Sequence, residues 1–303
     1  MNEIIEIADY KNECGEGPIW DVSVSRLLWL DAEGEDIYEY LPGEEKSRNI
    51  SQDLRVSSMV LDKEGLILLG SGLWFWPEGG KKTQVVTEYD GEELFFNDSI
   101  AGPDGNIYAG TYYWGEEGMG KSGKLYRISP DLEVSVLDEG IELSNGFAFS
   151  PDNKKLYHAD SSVRCINVYD FIDGTISNKR PFVRFAGDRG LPDGITVDAE
   201  GYLWCAVWYD GVAERYDPEG KFERRIEFPA RQVSSLTFGG DDLDVLYVTS
   251  ANGFFAGELV PPGFPENSYL GGTLYATKPG VRGRPENIVD FNIKEKGINH
   301  ETK

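Results

Sequence analysis

The chain has 303 residues, of which 40% are hydrophobic, so it is long and apolar enough to bury a large core, which excludes intrinsic disorder. Its 29 Lys and Arg residues against 53 Asp and Glu residues give a formal net charge of −24. This charge opposes binding to nucleic acid and to anionic membranes, because both depend on Lys and Arg to neutralise phosphate groups.

The N-terminal residues and the cysteines indicate the compartment. The first six residues contain neither the basic region nor the long apolar stretch of a signal peptide, and no segment approaches the roughly 18 apolar residues that span a bilayer. Cys14, Cys165 and Cys205 are too few, and odd in number, for a disulfide framework. We therefore expect a cytoplasmic protein, monomeric or a small homo-oligomer, that acts on a small molecule and binds neither nucleic acid nor a membrane.

A turn that contains Asp, followed by a short alternating strand, recurs along the whole chain. The turn residues, in chain order, are Asp21, Asp62, Asp104, Asp152, Asp198 and Asp241. Successive turns are 41, 42, 48, 46 and 43 residues apart. A period in the forties, built from strands and turns, is typical of β-propeller blades.

A second alternating segment follows in most repeats, at 36–40, 124–128, 166–170, 211–216 and 272–276. The sequence therefore predicts an all-β, six-bladed propeller with four-stranded antiparallel blades around a central channel, in one domain over 1–303. The predicted blades cover about 8–50, 51–90, 91–138, 139–185, 186–228 and 229–293. We expect the segments 4–7 and 287–291 to complete one blade from both chain ends, and 294–303 to form a polar tail.

An oxygen-bearing side chain precedes each turn Asp by five or seven residues. These side chains are Glu16, Ser57, Asn97, Asn145, Asp193 and Ser234. Because the innermost strands of a propeller line its channel, equivalent positions converge there. Carboxylate and carboxamide oxygens are ligands for hard cations, so Glu16, Asn97, Asn145 and Asp193 are predicted to hold one divalent cation, Ca²⁺ ahead of Mg²⁺, Mn²⁺ or Zn²⁺. The alternative is that Asx-Gly dipeptides only cap turns. That alternative would explain a single such dipeptide, whereas four candidate ligands at one repeat position favour a metal site.

Motifs around these residues resemble a known family. The segments 13–21 (ECGEGPIWD), 96–98 (FND), 144–146 (SNG), 192–194 (PDG) and 238–240 (FGG) are similar, in order, to the SMP-30/gluconolactonase/luciferin-regenerating-enzyme (LRE)-like family, and the likeness spans about 13–280. The resemblance implies a six-bladed propeller with one divalent cation and lactone hydrolysis. It also implies that Glu16, Asn145 and Asp193 are metal ligands, and that Asn97 contacts substrate and, in related phosphotriesterases, the metal.

One departure from the family bears on the substrate. Its sugar-lactone members commonly have Arg two residues before the Asn-Asp pair, where this chain has Phe95. With Tyr112, Trp114 and Trp208 as further candidates for substrate contact, we expect a pocket more apolar than a gluconolactonase needs. Packing between blades is the alternative for each aromatic side chain. Glu116, in a glycine-rich loop, is a further candidate for substrate contact.

The predicted ligand set suggests a mechanism. The metal would polarise a lactone or ester carbonyl, Asp193 would orient or deprotonate water or attack directly, and Asn97 would hold the substrate. Two alternatives stay open. One is a phosphotriester hydrolase that uses the same residues, and the other is a non-catalytic Ca²⁺-binding or interaction propeller.

Several other patterns are interpreted as incidental. Residues 115–122 match the phosphate-loop pattern, but the next segment, 124–128, alternates like a strand, and Glu116 and Glu117 would repel phosphate. His158 and His300 do not make a zinc cluster, and His158 is expected to be packed in a blade. Asp98 either supports the metal ligands or lies in a surface turn.

Overall fold

Six antiparallel sheets of four strands dominate the computed structural model, which describes residues 3–115, 118–253, 259–265, 267–291 and 293. Strand β1 (Ile5–Asp9) comes first. Blade I contains β2 (Gly15–Asp21), β3 (Arg26–Asp31), β4 (Ile37–Leu41) and β5 (Lys46–Ser51), with a 3₁₀ turn at Pro42–Glu44. Blade II contains β6 (Val56–Asp62), β7 (Gly65–Gly70), β8 (Gly72–Pro77) and β9 (Thr83–Val86), and is followed by a hairpin of β10 (Glu88–Tyr89) and β11 (Glu92–Glu93).

The remaining blades follow the same plan. Blade III contains β12 (Phe96–Ala101), β13 (Ile107–Thr111), β16 (Gly123–Ile128) and β17 (Val134–Ile141), and carries a hairpin of β14 (Trp114–Gly115) and β15 (Gly118–Met119). Blade IV contains β18 (Ser144–Phe149), β19 (Lys155–Asp160), β20 (Cys165–Ile172) and β21 (Thr175–Arg184). Blade V contains β22 (Leu191–Val197), β23 (Leu203–Trp208), β24 (Val212–Tyr216) and β25 (Phe222–Glu227). Blade VI contains β26 (Val233–Gly239), β27 (Val245–Ser250) and β28 (Thr273–Thr277), with β1 at its edge.

The inner strands close a ring. The first strand of each blade contacts the first strand of the next, from β2 through β6, β12, β18, β22 and β26 and back to β2. The prediction of an all-β, six-bladed propeller with four-stranded antiparallel blades is therefore confirmed. The strand β16 directly follows the glycine-rich loop, where a phosphate-binding loop requires a helix.

The chain ends lie in different places. The N-terminal strand β1 pairs with β28, so it supplies the outer strand of blade VI. The segment 287–291, expected in the same blade, instead meets blade II, where Val289 forms a parallel bridge with Asp62. The Phe291 N–H also donates to Asp62 Oδ2 over 2.9 Å. Because β1 already completes blade VI, the C-terminal segment pairs with the unoccupied backbone and carboxylate groups of the β6–β7 turn.

The core lies between blades and follows the two-residue period of the strands. In β23, Leu203, Cys205 and Val207 pack against blade IV. The intervening Trp204 and Ala206 pack against blade VI. Because both faces of the strand are buried, its residues are apolar throughout. In the described part of the chain no helix has the length and apolarity to cross a membrane.

Candidate active site

Each inner strand is irregular at the same position. The register shifts lie between Glu16 and Ile19, Val56 and Ser58, Phe96 and Asp98, Ser144 and Phe147, Pro192 and Ile195, and Val233 and Leu236. A bulge leaves a residue unpaired in its strand and changes the direction of its side chain. These bulges contain, or directly follow, the six residues that the repeat position singled out, so the sequence offset corresponds to one structural feature of every blade.

The glycines beside these residues are required by the close approach of the inner strands. A Cβ on Gly146 would lie 2.5 Å from the backbone nitrogen of Ile195 and 2.6 Å from the backbone carbonyl oxygen of Asp193. A Cβ on Gly194 would lie 2.6 Å from Cα of Ser235. The Asn-Gly and Asp-Gly pairs therefore bring adjacent blades together at the site, which the turn-capping alternative does not explain.

A hydrogen-bond chain fixes the two predicted carboxamides. Asn97 Nδ2 donates to the Ser144 carbonyl over 2.7 Å and to Asn145 Oδ1 over 3.1 Å. Asn145 Nδ2 donates to Ser161 Oγ over 3.0 Å, and Ser161 Oγ donates to the Pro192 carbonyl over 2.6 Å. The chain links blades III, IV and V and engages the N–H₂ groups of both amides, which leaves the Asn97 oxygen available as a ligand.

The carboxyl groups of Glu16 and Asp193 lie in the same buried environment. Burial, with the nearby charge of Asp98, raises the pKa of Glu16 to about 8, although the Gly17 N–H, 3.0 Å from Glu16 Oε2, lowers it. Burial and the charges of Glu16 and Asp98 raise the pKa of Asp193 well above its usual range. Asp193 Oδ1 is buried and accepts no hydrogen bond from the residues described. These groups therefore hold protons near neutral pH when no cation is present, and a cation would favour their ionised forms.

This donor set fits a hard divalent cation. Two carboxylates supply the charge, Asp193 Oδ1 has no hydrogen-bond donor among the described residues, and Ca²⁺ accepts carboxylates and amide carbonyls together. Among the residues described, no group of three or more His, Cys, Asp and Glu side chains is placed to hold a metal. The candidate metal site therefore depends on the two carboxamides.

Asp98 lies in the channel, close enough to Glu16 and Asp193 for its charge to act on both, and not in a surface turn. Its Oδ1 accepts hydrogen bonds from the Ser99 N–H at 2.7 Å and from Ser58 Oγ at 3.2 Å. Burial raises its pKa to about 6. With Ser58 and Glu286 it lines a cavity of about 100 Å³. Asp98 therefore adds negative charge near Glu16 and Asp193 from another part of the channel.

A larger cavity, of about 560 Å³, brings together two of the predicted substrate-contacting residues. Phe95, 41% exposed, and Tyr112 line it, and the Tyr112 N–H donates to the Phe95 carbonyl over 3.3 Å. Ser57 also lines this cavity, and its Oγ donates to the Phe96 carbonyl over 2.6 Å. Phe96, which directly precedes Asn97 in β12, lines the cavity as well.

The other aromatic and acidic candidates are placed differently. Trp208 is 8% exposed and packs with Tyr209 and Phe264 beneath the long connection between β27 and β28. The side chain of Trp114 lies outside the described part of the structure, as does the whole of Glu116.

His158 is packed in blade IV, as expected. Its Nε2 lies 2.9 Å from Ser144 Oγ, and burial lowers its pKa to about 3, so the ring is neutral. It therefore supports the residue next to Asn145. Ser58 and Ser161 were missed by the sequence interpretation because single serines carry no pattern.

Comparisons with known proteins agree with this geometry. A family model described as "SMP-30/Gluconolactonase/LRE-like region" matches residues 14–252. A pentonolactonase from Haloferax volcanii is 31% identical over 96% of this chain and 99% of its own length. Regucalcin from Xenopus laevis is 32% identical over 78% of this chain and 83% of its own. A solved luciferin-regenerating enzyme superposes with a TM-score of 0.84 at 28% identity, over 96% of this chain and 100% of that one.

Proposed function

Because the chain belongs to the SMP-30/gluconolactonase/LRE-like family, we propose that it is a divalent-metal-dependent hydrolase of lactones or related carboxylic esters. The observation that carries the proposal is the pair of acids, half-buried Glu16 and buried Asp193, combined with two fixed carboxamides at the same bulge position of their blades. The name of the relative from Haloferax volcanii, a pentonolactonase, supports a lactone as substrate.

Glu16, Asn97, Asn145 and Asp193 would hold the cation, with Ca²⁺ favoured by the all-oxygen donor set. When bound, a divalent cation polarises a carbonyl group and stabilises the negative charge that develops on its oxygen. Glu16 and Asp193 would be ionised in that state, because a nearby dication reverses the effect of burial on a carboxyl group.

Asp193 is the candidate general base. Its Oδ1 accepts no hydrogen bond from the described residues, so it is able to accept a proton from the water that attacks the carbonyl carbon. Asn97 is held through both bonds of its amide nitrogen, which fixes the orientation of its amide group. Asn97 would orient the substrate without adding charge.

The cavity suggests the character of the substrate. Phe95, Phe96, Tyr112 and Tyr113 supply most of its aromatic wall. Phe95 and Tyr113 lie edge to face with ring centroids 6.4 Å apart. Such a wall favours a ring with an apolar face over one that carries hydroxyl groups on every carbon.

The experiment uses protein stripped with EDTA and refilled separately with Ca²⁺, Mg²⁺, Mn²⁺ and Zn²⁺. A pH indicator follows acid release from sugar lactones, aliphatic lactones and one phosphotriester. Metal-restored hydrolysis of lactones is the expected result. Turnover of the phosphotriester alone would contradict the proposal and favour phosphoryl chemistry, and a rise in melting temperature without any turnover would favour a binding protein.

A further inference from the structure

Arg55 has a fixed position at the edge of the larger cavity. It directly precedes β6, and its Nε donates to the Ala32 carbonyl over 3.0 Å. Its Nη2 forms an ion pair and hydrogen bond with Glu33. The two N–H bonds of Nη1 have no acceptor among the described residues. The guanidinium is therefore held from one side and keeps donors for another molecule.

Arg55 is the only charged side chain among the described residues that line this cavity. The rest of the lining is uncharged and includes the rings of Phe95, Phe96, Tyr112 and Tyr113. Ser57 already donates its hydroxyl to a backbone carbonyl. A ligand with an acceptor oxygen would thus find its charged donor at Arg55, opposite a mainly aromatic surface.

The surroundings of Arg55 favour a neutral acceptor. Glu33 already pairs with the guanidinium, and Glu13 and Asp31 lie close enough to act on Glu33. Burial and these two carboxylates raise the pKa of Glu33, although Arg55 lowers it. An additional carboxylate would enter a region that is already negative, whereas a hydroxyl oxygen accepts the hydrogen bond without adding charge.

We propose that Arg55 determines substrate specificity by donating a hydrogen bond from Nη1 to a hydroxyl group of a lactone whose ring lies against Phe95 and Tyr112. This inference rests on the proposed hydrolase function. It assigns a polar contact at one end of an otherwise aromatic pocket, and therefore predicts a substrate with one apolar face and a hydroxyl-bearing substituent.

The test compares three γ-butyrolactones that carry a methyl, a hydroxymethyl or a carboxylate group on the same ring carbon. In Arg55→Gln, the ratio of kcat/KM for the hydroxymethyl lactone to that for the methyl lactone should fall about tenfold to a hundredfold, mainly through KM, because a hydrogen bond from a charged donor is lost. Glu33→Gln should raise kcat/KM for the carboxylate lactone about tenfold.

Arg48→Gln is the matched control, since Arg48 also pairs with a glutamate of blade I, Glu39, over 2.7 Å, away from the cavity. The melting temperature of each variant is measured to establish that it is folded. An unchanged ratio in Arg55→Gln, or an equal change in Arg48→Gln, would overturn the assignment of Arg55.

If the wild type hydrolyses neither these three lactones nor the sugar and aliphatic lactones with any metal, the hydrolase proposal itself has failed. Ligand-observed NMR with hydroxymethyl- and methyl-tetrahydrofuran then tests Arg55 through binding alone. Preferential binding of the hydroxymethyl compound that disappears in Arg55→Gln supports the inference, and equal binding of both compounds by the wild type refutes it.

Discussion

Asp193→Asn removes one carboxyl group from the buried site while keeping its size. Burial raises the pKa of Asp193 well above its usual range, so the folded, metal-free protein keeps a proton that the unfolded chain releases above about pH 4. The folded state then binds more protons than the unfolded state, and its stability must fall as the pH rises. We expect Asp193→Asn to weaken this pH dependence and, with metal present, to abolish hydrolysis.

The magnitude follows from the number of protonated groups. Each carboxyl group that is protonated only in the folded state lowers the free energy of unfolding by about 1.4 kcal/mol per pH unit. Burial and the charge of Asp98 raise the pKa of Glu16 to about 8, so Glu16 contributes between pH 6 and 7.5, and Asp193, whose pKa is also raised, adds to the slope. The wild type should lose between about 1.4 and 2.7 kcal/mol per pH unit from this pair, and Asp193→Asn should lose less than the wild type.

Urea denaturation in EDTA, at intervals between pH 6 and 7.5, measures both slopes. Asp188→Asn is the control, because Asp188 is an exposed aspartate in the connection between β21 and β22, the strand that contains Asp193. Saturating Ca²⁺ should flatten the wild-type profile, since the cation keeps the carboxyl groups ionised in the folded state. Saturating Ca²⁺ should change the pH profile of Asp193→Asn less than that of the wild type.

Parallel profiles for the wild type and Asp193→Asn in EDTA would refute the view that Asp193 carries a proton in the metal-free protein. Hydrolysis that survives the substitution would separately refute its assignment as general base. The two results are independent, because the first concerns the folded state without metal and the second concerns the reaction.

Three further predictions concern the scaffold. Gly146→Ala should lower stability by on the order of 1–3 kcal/mol in urea denaturation and reduce activity, because the new Cβ would meet the backbone of Ile195 and Asp193, whereas Gly187→Ala, with open space around it, should do neither. Burial lowers the pKa of His158 to about 3, so between pH 6 and 4 the unfolded chain binds a proton there that the folded protein does not. The free energy of unfolding of the wild type should therefore fall by about 1.4 kcal/mol per pH unit relative to His158→Gln as the pH falls from 6 to 4. Equal slopes for the two proteins would contradict a neutral buried ring. A net charge of −24 opposes compaction, so the melting temperature should rise between 0.1 and 1 M KCl, and a constant value would show that this repulsion is unimportant.

The repeat made the fold and the candidate ligands predictable for the same reason. The turn Asp residues of blades I to V accept hydrogen bonds from their own turns. Asp198 Oδ1, for example, accepts from the N–H groups of Glu200 and Tyr202, both at 3.0 Å. A fixed turn sets the register of the inner strand, so the bulge of each blade recurs five or seven residues before its turn Asp. Counting back from Asp198 therefore reaches Asp193.

Features that depend on non-repeating segments were not predictable in this way. Arg55 lies just outside the repeat position, and its role depends on backbone and side-chain groups of Ala32 and Glu33 in another blade. Trp208 is covered by Phe264, which lies in an unusually long connection without an alternating pattern. The pairing of Val289 with Asp62 joins residues that are 227 positions apart in the sequence. Such contacts are set by tertiary packing, for which single residues give no local signal.

The two serines at the bulge positions explain why four of the six blades supply the candidate ligands. Ser57 Oγ donates to the carbonyl of Phe96, next to Asn97, and Ser234 Oγ donates to the carbonyl of Gly15, next to Glu16. Each serine thus fastens a neighbouring strand that carries a ligand. Because blades II and VI flank blade I, small side chains stand on both sides of Glu16, the longest of the four ligands. The repeated position therefore carries candidate ligands in four blades and, in the other two, serines that hold the neighbouring strands.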